Sequence, residues 1–134
     1  MADKTVFMFP GQGSQYVGMR KALGELTERQ REYFSIADEI LGISLSGLID
    51  CGSEQELTRT SNAQPALLAM AAAHLDRAMS LGSAPGIVLG HSLGEYAALF
   101  AAGVISFEDA IRIVRRRGEL MERASDAAPG GMAA

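Results

Sequence analysis

The sequence predicts an α/β fold with a parallel sheet, because strand-like and helix-like segments alternate along its 134 residues. Two apolar runs, Val6–Phe9 and residues 87–89, have the length and composition of short buried strands. The second run leads into Gly90-His91-Ser92-Leu93-Gly94 and then into a helix-like stretch over residues 95–102. A strand, a tight turn bearing serine and a helix, in that order, are typical of a nucleophile elbow.

The first half of the chain predicts mainly helices after the first strand. That strand ends at Pro10-Gly11, and the glycine-rich loop Gly11-Gln12-Gly13-Ser14-Gln15 follows. We expect loose helical character to Leu26, a clear helix over Glu28–Leu41 and a short helical or irregular piece over residues 44–49. Residues 53–58 predict a brief helix, with Ser53 as N-cap and Glu56 at the capping-box position.

The second half repeats the strand-and-helix alternation. Pro65 suits the first turn of a helix that we expect to run to about Met79. Residues 83–86 turn into the second strand, and Gly103 ends the helix after the elbow. Ser106 caps a long helix to about Arg123, after which residues 128–131 form a loop and residues 132–134 start another strand.

The amino-acid composition indicates which broad class of protein this is. With 48% hydrophobic and 21% charged residues the chain reads as one globular domain, and its net charge of −4 argues against nucleic-acid binding. The lone Cys51 has no internal disulfide partner, which fits a cytoplasmic protein. We find no signal-peptide pattern and no apolar run near the roughly 20 residues of a membrane span. Because two strands are too few for a buried parallel sheet, we expect the N-terminal part of a larger protein.

A serine nucleophile needs a base, and the chain has two histidines. His91 adjoins Ser92, and consecutive residues at a strand end point to opposite sides, so we favour a hydrogen bond that braces the elbow. His74 shares a helical face with Leu67, Ala71 and Ala78, which favours a satisfied, partly buried histidine. We therefore expect the base to lie outside these residues.

An acyl-transfer serine also needs two N–H donors for the oxyanion. The N–H of Leu93, directly after the serine, is one candidate, and the Gly11-Gln12-Gly13 loop can supply the other. An ordinary strand-to-helix turn explains that loop equally well. A dinucleotide-binding fingerprint is disfavoured, since Tyr16 stands where its third glycine belongs.

The long helix contains an arginine that faces the protein. At about 100° per residue its apolar stripe is Phe107, Ala110, Ile111, Val114, Gly118 and Met121. Arg112 and Arg116 fall on the opposite side and Arg115 on a flank, whereas Arg117 lies at the edge of the stripe. A guanidinium there needs an anion. An internal salt bridge and a substrate carboxylate held by two hydrogen bonds both remain open.

Four motifs occur together and in order: Phe9-Pro10-Gly11-Gln12-Gly13-Ser14-Gln15, Gln64-Pro65-Ala66-Leu67, Gly90-His91-Ser92-Leu93-Gly94-Glu95-Tyr96 and Arg117-Gly118-Glu119-Leu120-Met121. With them, the chain closely resembles malonyl-CoA:acyl-carrier-protein transacylases and the acyltransferase domains of polyketide and fatty acid synthases. The resemblance covers essentially the whole chain. It implies an α/β-hydrolase-like core and a role in fatty acid or polyketide biosynthesis.

The resemblance also implies roles for individual residues. Ser92 attacks the thioester of malonyl-CoA, and the backbone N–H groups of Gln12 and Leu93 stabilise the oxyanion. Arg117 pairs with the free malonyl carboxylate, which favours the substrate alternative over the internal salt bridge. Gln64 and His91 line the site.

In the second half-reaction that the resemblance implies, the phosphopantetheine thiol of an acyl carrier protein takes the malonyl group. Coenzyme A enters as part of the substrate, with no bound cofactor and no metal. Leu93 is similar to the residue of malonyl-selecting members, where methylmalonyl-selecting ones more typically have glutamine.

The chain departs from the family pattern in extent. The resemblance puts the catalytic histidine, and a small ferredoxin-like subdomain, further along the chain than residue 134. Residues 1–134 thus resemble the N-terminal part of the large subdomain, with residues 128–134 as the entry to the small one, and a second segment or chain supplies the histidine. Two alternatives stand beside transfer: an acyl-carrier-protein hydrolase of the same fold, and an inactive binding or scaffolding fragment.

Overall fold

The computed structural model describes residues 5–128 and 130. Its helices and strands follow in chain order, with one 3₁₀ helix, Met19–Leu23, after the first strand. They are β1 Val6–Phe9, α1 Glu28–Leu41, α2 Leu45–Cys51, α3 Glu54–Thr58, α4 Thr60–Ser80, β2 Ile87–Gly90, α5 Gly94–Ala101 and α6 Phe107–Ala127.

The two described strands pair in parallel, as the alternating pattern predicts. Val6 lies opposite Ile87, and Phe9 lies opposite Gly90. One face of this pair is open, since Met8 is 77% and Leu89 is 51% exposed in the described residues. The carboxyl ends of both strands lie side by side, which brings the loop after β1 next to the turn after β2.

The helices form a layer around α4, which packs against α1, α5 and α6. The core between them contains fully buried side chains from several of these helices, including Phe34, Leu68 and Ile111. Tyr33, Phe100 and Phe107 add an aromatic cluster with ring centroids 4.8 to 6.0 Å apart. Offset and edge contacts of this kind stabilise the packing of α1, α5 and α6.

The prediction that Pro65 lies in the first turn of its helix is wrong. Helix α4 begins at Thr60, and Pro65 is its sixth residue, inside the helix. Proline has no N–H to donate to the carbonyl four residues earlier, which is that of Ser61. Arg115 of α6 compensates, because its Nη1 donates to this carbonyl at 3.1 Å. A tertiary contact therefore stabilises a proline position that helix propensity disfavours.

Most other boundaries agree with the pattern within a few residues. Ser53 and Ser106 act as the predicted N-caps, accepting from the backbone N–H groups of Glu56 and Asp109 at 3.1 and 3.0 Å. The loose helical character before Leu26 is a 3₁₀ helix, and residues 45–49 belong to α2, a regular helix with Ser44 as N-cap that ends at Cys51. Helix α6 ends at Ala127, four residues after the predicted end.

The predicted loop and strand over residues 128–134 lie, apart from Ala128 and Gly130, outside the described residues. Within the described part of the chain, no helix combines the length and the apolar character needed to cross a membrane.

Candidate active site

Ser92 occupies a strained turn between β2 and α5. Its φ of 52° is the one positive value of a non-glycine residue in the described chain. A Cβ on Gly90 would lie 2.1 Å from the backbone carbon of Gly94, and one on Gly94 would lie 2.2 Å from the carbonyl oxygen of Phe9. Both flanking positions therefore require glycine, and the turn has the geometry of a nucleophile elbow.

The residue after the serine anchors the turn. The Leu93 side chain is 2% exposed, so it fixes the peptide that joins it to Ser92. The N–H groups of Gly94 and Glu95 donate to the carbonyls of His91 and Ser92, at 2.9 and 3.1 Å. Among the described residues, the Leu93 N–H makes no such hydrogen bond, so it is available to a ligand at the start of α5.

The glycine-rich loop after β1 lies against this elbow. A Cβ on Gly11 would come within 2.7 Å of Nδ1 of His91. The Gln12 side chain does not point at Ser92, because its Nε2 donates to Oγ1 of Thr60 at 3.1 Å. The Gly13 N–H donates to Oε1 of Gln15 at 2.8 Å, which holds the loop in a compact shape. The oxyanion role of the Gln12 and Leu93 N–H groups stays a prediction.

Arg117 makes the most informative contacts of the site. Its Nη2 donates to Oγ of Ser92 at 3.0 Å, and its Nη1 donates to Oε1 of Gln64 at 2.9 Å. Its guanidinium carbon lies 5.7 Å from the ring centroid of Tyr96. No carboxylate in residues 5–128 forms an ion pair with Arg117. The internal salt bridge is therefore not present in the described chain.

Gln64 holds Arg117 from the buried side. It is 0% exposed, and both ends of its amide are engaged. Its oxygen accepts from Arg117, while its nitrogen lies 3.2 Å from the sulfur of Met121 and donates to it. A buried amide that is satisfied at both ends has one stable orientation, so the acceptor offered to Arg117 is fixed.

Met121 was expected in the buried stripe of α6, and that expectation is wrong. It is 37% exposed and lines the cleft in front of Ser92. The other five members of the stripe are buried. Met121 follows Arg117 by four residues, so both lie on one face of α6. This spacing is the signal that could have assigned Met121 to the site.

The two histidines occupy different environments. The backbone N–H of His91 donates to the carbonyl of Phe9 at 3.1 Å, and its exposed imidazole lines the same cleft as Ser92. The elbow is thus braced by the His91 main chain rather than by its ring. His74 lines a separate apolar cavity between β1 and α4, and burial lowers the pKa of its imidazole. Within the described residues, neither histidine forms a hydrogen bond with the Ser92 hydroxyl.

The cleft in front of Ser92 has a volume of about 1020 Å³. Besides Ser92, His91 and Met121, its walls include Gln12, Thr60 and Glu122. The described residues contain no group of three or more His, Cys, Asp or Glu side chains arranged to hold a metal ion. The arrangement brings together a hydroxyl, an available main-chain N–H and a cation, which are parts of a site for acylating serine with a negatively charged group, but the described residues supply no base to Ser92.

Comparison with known proteins identifies the family. The sequence model of the acyl transferase domain family matches residues 6–134 of this chain. The malonyl CoA-acyl carrier protein transacylase of Bacillus subtilis (strain 168) is 51% identical over 132 residues, which cover 98% of this chain and 42% of that protein. The polyketide biosynthesis protein ThaF of Burkholderia thailandensis is 49% identical over 130 residues, covering 96% of this chain and 11% of that protein.

Solved structures agree with this assignment. A crystal structure of an acyl carrier protein S-malonyltransferase from Vibrio cholerae superposes with a TM-score of 0.86 and 45% identity, covering 91% of this chain and 40% of that one. The malonyl-transacylase solved in complex with its type II PKS acyl-carrier protein gives a TM-score of 0.86 and 43% identity, covering 96% and 41%. The chain thus spans about two fifths of these transacylases, and its fold is that of their N-terminal part. With its elbow, its cleft and its match over residues 6–134, the chain belongs to the acyl transferase domain family.

Proposed function

We propose that the complete protein transfers a malonyl group from malonyl-CoA to the phosphopantetheine thiol of an acyl carrier protein. The observation that carries this proposal is the Arg117 guanidinium, 3.0 Å from the Ser92 hydroxyl and without a carboxylate partner in the described chain. A guanidinium beside a nucleophile selects acyl groups that bring their own carboxylate. A site for neutral acyl groups gains nothing from such a cation.

The reach of Arg117 fits a short dicarboxylic acyl group. In a malonyl ester two C–C bonds of about 1.5 Å separate the acyl carbon from the carboxylate carbon, so the carboxylate lies within about 4 Å of Oγ. Arg117 Nη2 is 3.0 Å from the same Oγ, so a small side-chain movement brings Nη2 and the second N–H of Nη1 onto the carboxylate while Nη1 keeps its bond to Gln64. Succinyl or longer groups carry the charge further from Ser92 and fit less well.

In the first half-reaction, Oγ of Ser92 bonds to the thioester carbon, the C–S bond breaks, and coenzyme A leaves as the thiol after receiving a proton. The N–H of Leu93 and that of Gln12 stabilise the charge on the carbonyl oxygen. Leu93 is supported by its position at the start of α5, with its N–H available. Gln12 is supported by the packing of its loop against the elbow. In the second half-reaction the sulfur of the carrier thiol bonds to the acyl carbon, the C–Oγ bond breaks, and Ser92 recovers its proton.

The base that deprotonates Ser92 comes, in our proposal, from a further segment of the protein or a second chain. Two observations support this. The chain spans 42% of the Bacillus subtilis relative, and one face of its parallel strands is open although parallel sheets are normally covered on both faces. Residues 1–134 then form the N-terminal part of the large subdomain. The names of the relatives support malonyl-CoA and an acyl carrier protein as partners.

The experiment follows the fate of the malonyl group. The complete protein is incubated with malonyl-CoA and a holo acyl carrier protein, and malonyl-carrier and free malonate are measured together. Transfer predicts malonyl on the carrier thiol and none with Ser92→Ala. Malonate without malonyl-carrier would instead indicate the hydrolase alternative, and neither product would indicate a binding or scaffolding role.

A further inference from the structure

Three residues of helix α6 contact the same residue of α4. Arg115, Gly118 and Glu122 follow each other at spacings of three and four, so they share one face of α6. All three contact Ser61, which is 3% exposed in the second position of α4. We call these three residues the Ser61 clamp.

Glu122 supplies the N-terminal cap that α4 lacks. The residue before α4, Arg59, makes no side-chain cap hydrogen bond. Instead, Oε1 of Glu122 accepts from both the backbone N–H and the hydroxyl of Ser61, each at 2.9 Å. Arg59 turns towards the same carboxylate, with Nη2 3.5 Å from Oε2. A carboxylate at a helix N-terminus also interacts favourably with the helix dipole.

Arg115 binds the carbonyl group of Ser61, whereas Glu122 binds its N–H group. Its Nη1 donates to the Ser61 carbonyl at 3.1 Å, the acceptor that Pro65 leaves open, and to Oδ1 of Asn62 at 2.9 Å. Gly118 lies between Arg115 and Glu122 on α6, and its lack of a side chain allows the backbones of α4 and α6 to come into contact. A Cβ there would lie 2.7 Å from Cα of Ser61.

From this geometry we infer that the Ser61 clamp is a positioning device for Arg117, and through it sets the preference for acyl groups that carry a carboxylate. Gln64 follows Ser61 by three residues on α4, and Arg117 precedes Gly118 on α6. The bond from Arg117 to Gln64 therefore crosses between the same two helices that the clamp joins. A shift or rotation of α6 against α4 would move the guanidinium relative to its acceptor Gln64, so fixing Ser61 fixes the position from which Arg117 reaches Ser92.

This inference rests on the proposed function, since it concerns the acyl group that Ser92 accepts. Within the described residues neither Arg115 nor Glu122 forms a hydrogen bond with Ser92, although Glu122 also lines the cleft, so the inference assigns their effect to Arg117. Loss of the clamp is therefore expected to slow reactions that need Arg117 more than reactions that do not. A purely structural role would slow both alike.

The test compares acylation of Ser92 by malonyl-CoA and by acetyl-CoA in the complete protein, with rates measured by mass spectrometry. We expect Glu122→Ala and Arg115→Ala each to lower the malonyl-to-acetyl rate ratio by at least about fivefold, because misplacing a positioning group costs up to about a hundredfold. Glu122→Gln keeps an oxygen acceptor for Ser61 and should retain most of the ratio. Arg112→Ala, an exposed arginine one turn from Arg115, is the matched control and should leave the ratio unchanged.

The outcomes separate this inference from the proposed function. A selective loss in the alanine variants with rescue by Glu122→Gln supports the clamp. A malonylated wild type whose ratio is the same in Glu122→Ala, or in Arg115→Ala if Glu122→Ala does not fold, overturns the clamp and leaves the proposed function standing. A wild type that is never malonylated overturns the proposed function, and the inference with it.

Discussion

The guanidinium of Arg117 donates a hydrogen bond to the hydroxyl of Ser92, with 3.0 Å between Nη2 and Oγ. The guanidinium therefore lies directly against the Ser92 hydroxyl. A carboxylate is a stronger acceptor for a guanidinium than a neutral hydroxyl is. A substrate carboxylate is expected to draw Arg117 away from Oγ, which leaves the hydroxyl lone pairs unengaged for attack. Under the proposed function, recognition of the acyl group and exposure of the Ser92 hydroxyl would be coupled through one side chain.

Removing the guanidinium should change which acyl group is accepted. With Arg117→Ala we expect malonylation to fall by about 10- to 150-fold, because a hydrogen bond to a charged group contributes about 1.5 to 3 kcal/mol. Acetylation should not fall, since an acetyl group has no carboxylate for Arg117 to bind. Second-order rates of acylation by malonyl-CoA and acetyl-CoA give this comparison. Arg112→Ala serves as the control for loss of an α6 arginine, and an equal fall in both rates would mean that Arg117 is structural.

The elbow should not tolerate a larger residue at Gly94. A Cβ there would lie 2.2 Å from the Phe9 carbonyl oxygen and 2.9 Å from that of Pro10, and these are backbone atoms with little freedom to move. We expect Gly94→Ala to lower the free energy of unfolding by more than about 3 kcal/mol, the upper end of ordinary overpacking. Thermal or urea unfolding measures this. Gly130→Ala is the control, since its added Cβ would meet its nearest atom at 3.7 Å, and equal stability of the two variants would refute the tight turn.

Glu122 should make stability depend on pH in the acid range. Burial raises its pKa, but the two hydrogen bonds from Ser61 and the charge of Arg59 outweigh this, and the net pKa lies below the ordinary 4.5. A carboxyl group with a lowered folded-state pKa stabilises the fold above its unfolded pKa, and this stabilisation is lost as pH falls through the folded one.

We therefore expect wild type to be more stable than Glu122→Gln at neutral pH, with the difference closing as the pH drops below about 4.5. Urea unfolding of both proteins between pH 3 and 7 follows this difference. A difference that stays constant across the range would show that the charge of Glu122 does not support the Ser61 contact.

Local patterns predicted much of this fold. The strands and the elbow were recoverable because their signals are contiguous: an apolar run, then a serine between glycines. The caps at Ser53 and Ser106 were recoverable for the same reason. Pro65 was misplaced because its position depends on Arg115, fifty residues away in sequence, which satisfies the carbonyl that proline leaves open.

Apart from the family resemblance, which supplied Gln64, the residues alone predicted the site only where one helix or turn contained the information. Helical spacing put Arg117 at the edge of the buried stripe, but it left a salt bridge and a substrate carboxylate equally open. Gln64 and Arg117 meet across 53 residues, and Glu122 reaches Ser61 across 61. No pattern within one helix reports such pairs. Met121 was assigned to the core because it is apolar, although its thioether faces both Gln64 and the cleft.

Formation of a malonyl ester on Ser92 tests the central claim most directly. The complete protein is exposed to malonyl-CoA without a carrier protein, digested and analysed by mass spectrometry. We predict the mass increment of one malonyl group on the peptide that contains Ser92, and no increment in Ser92→Ala. A folded protein in which Ser92 stays unmodified, or in which the malonyl group is found on another residue, would contradict it.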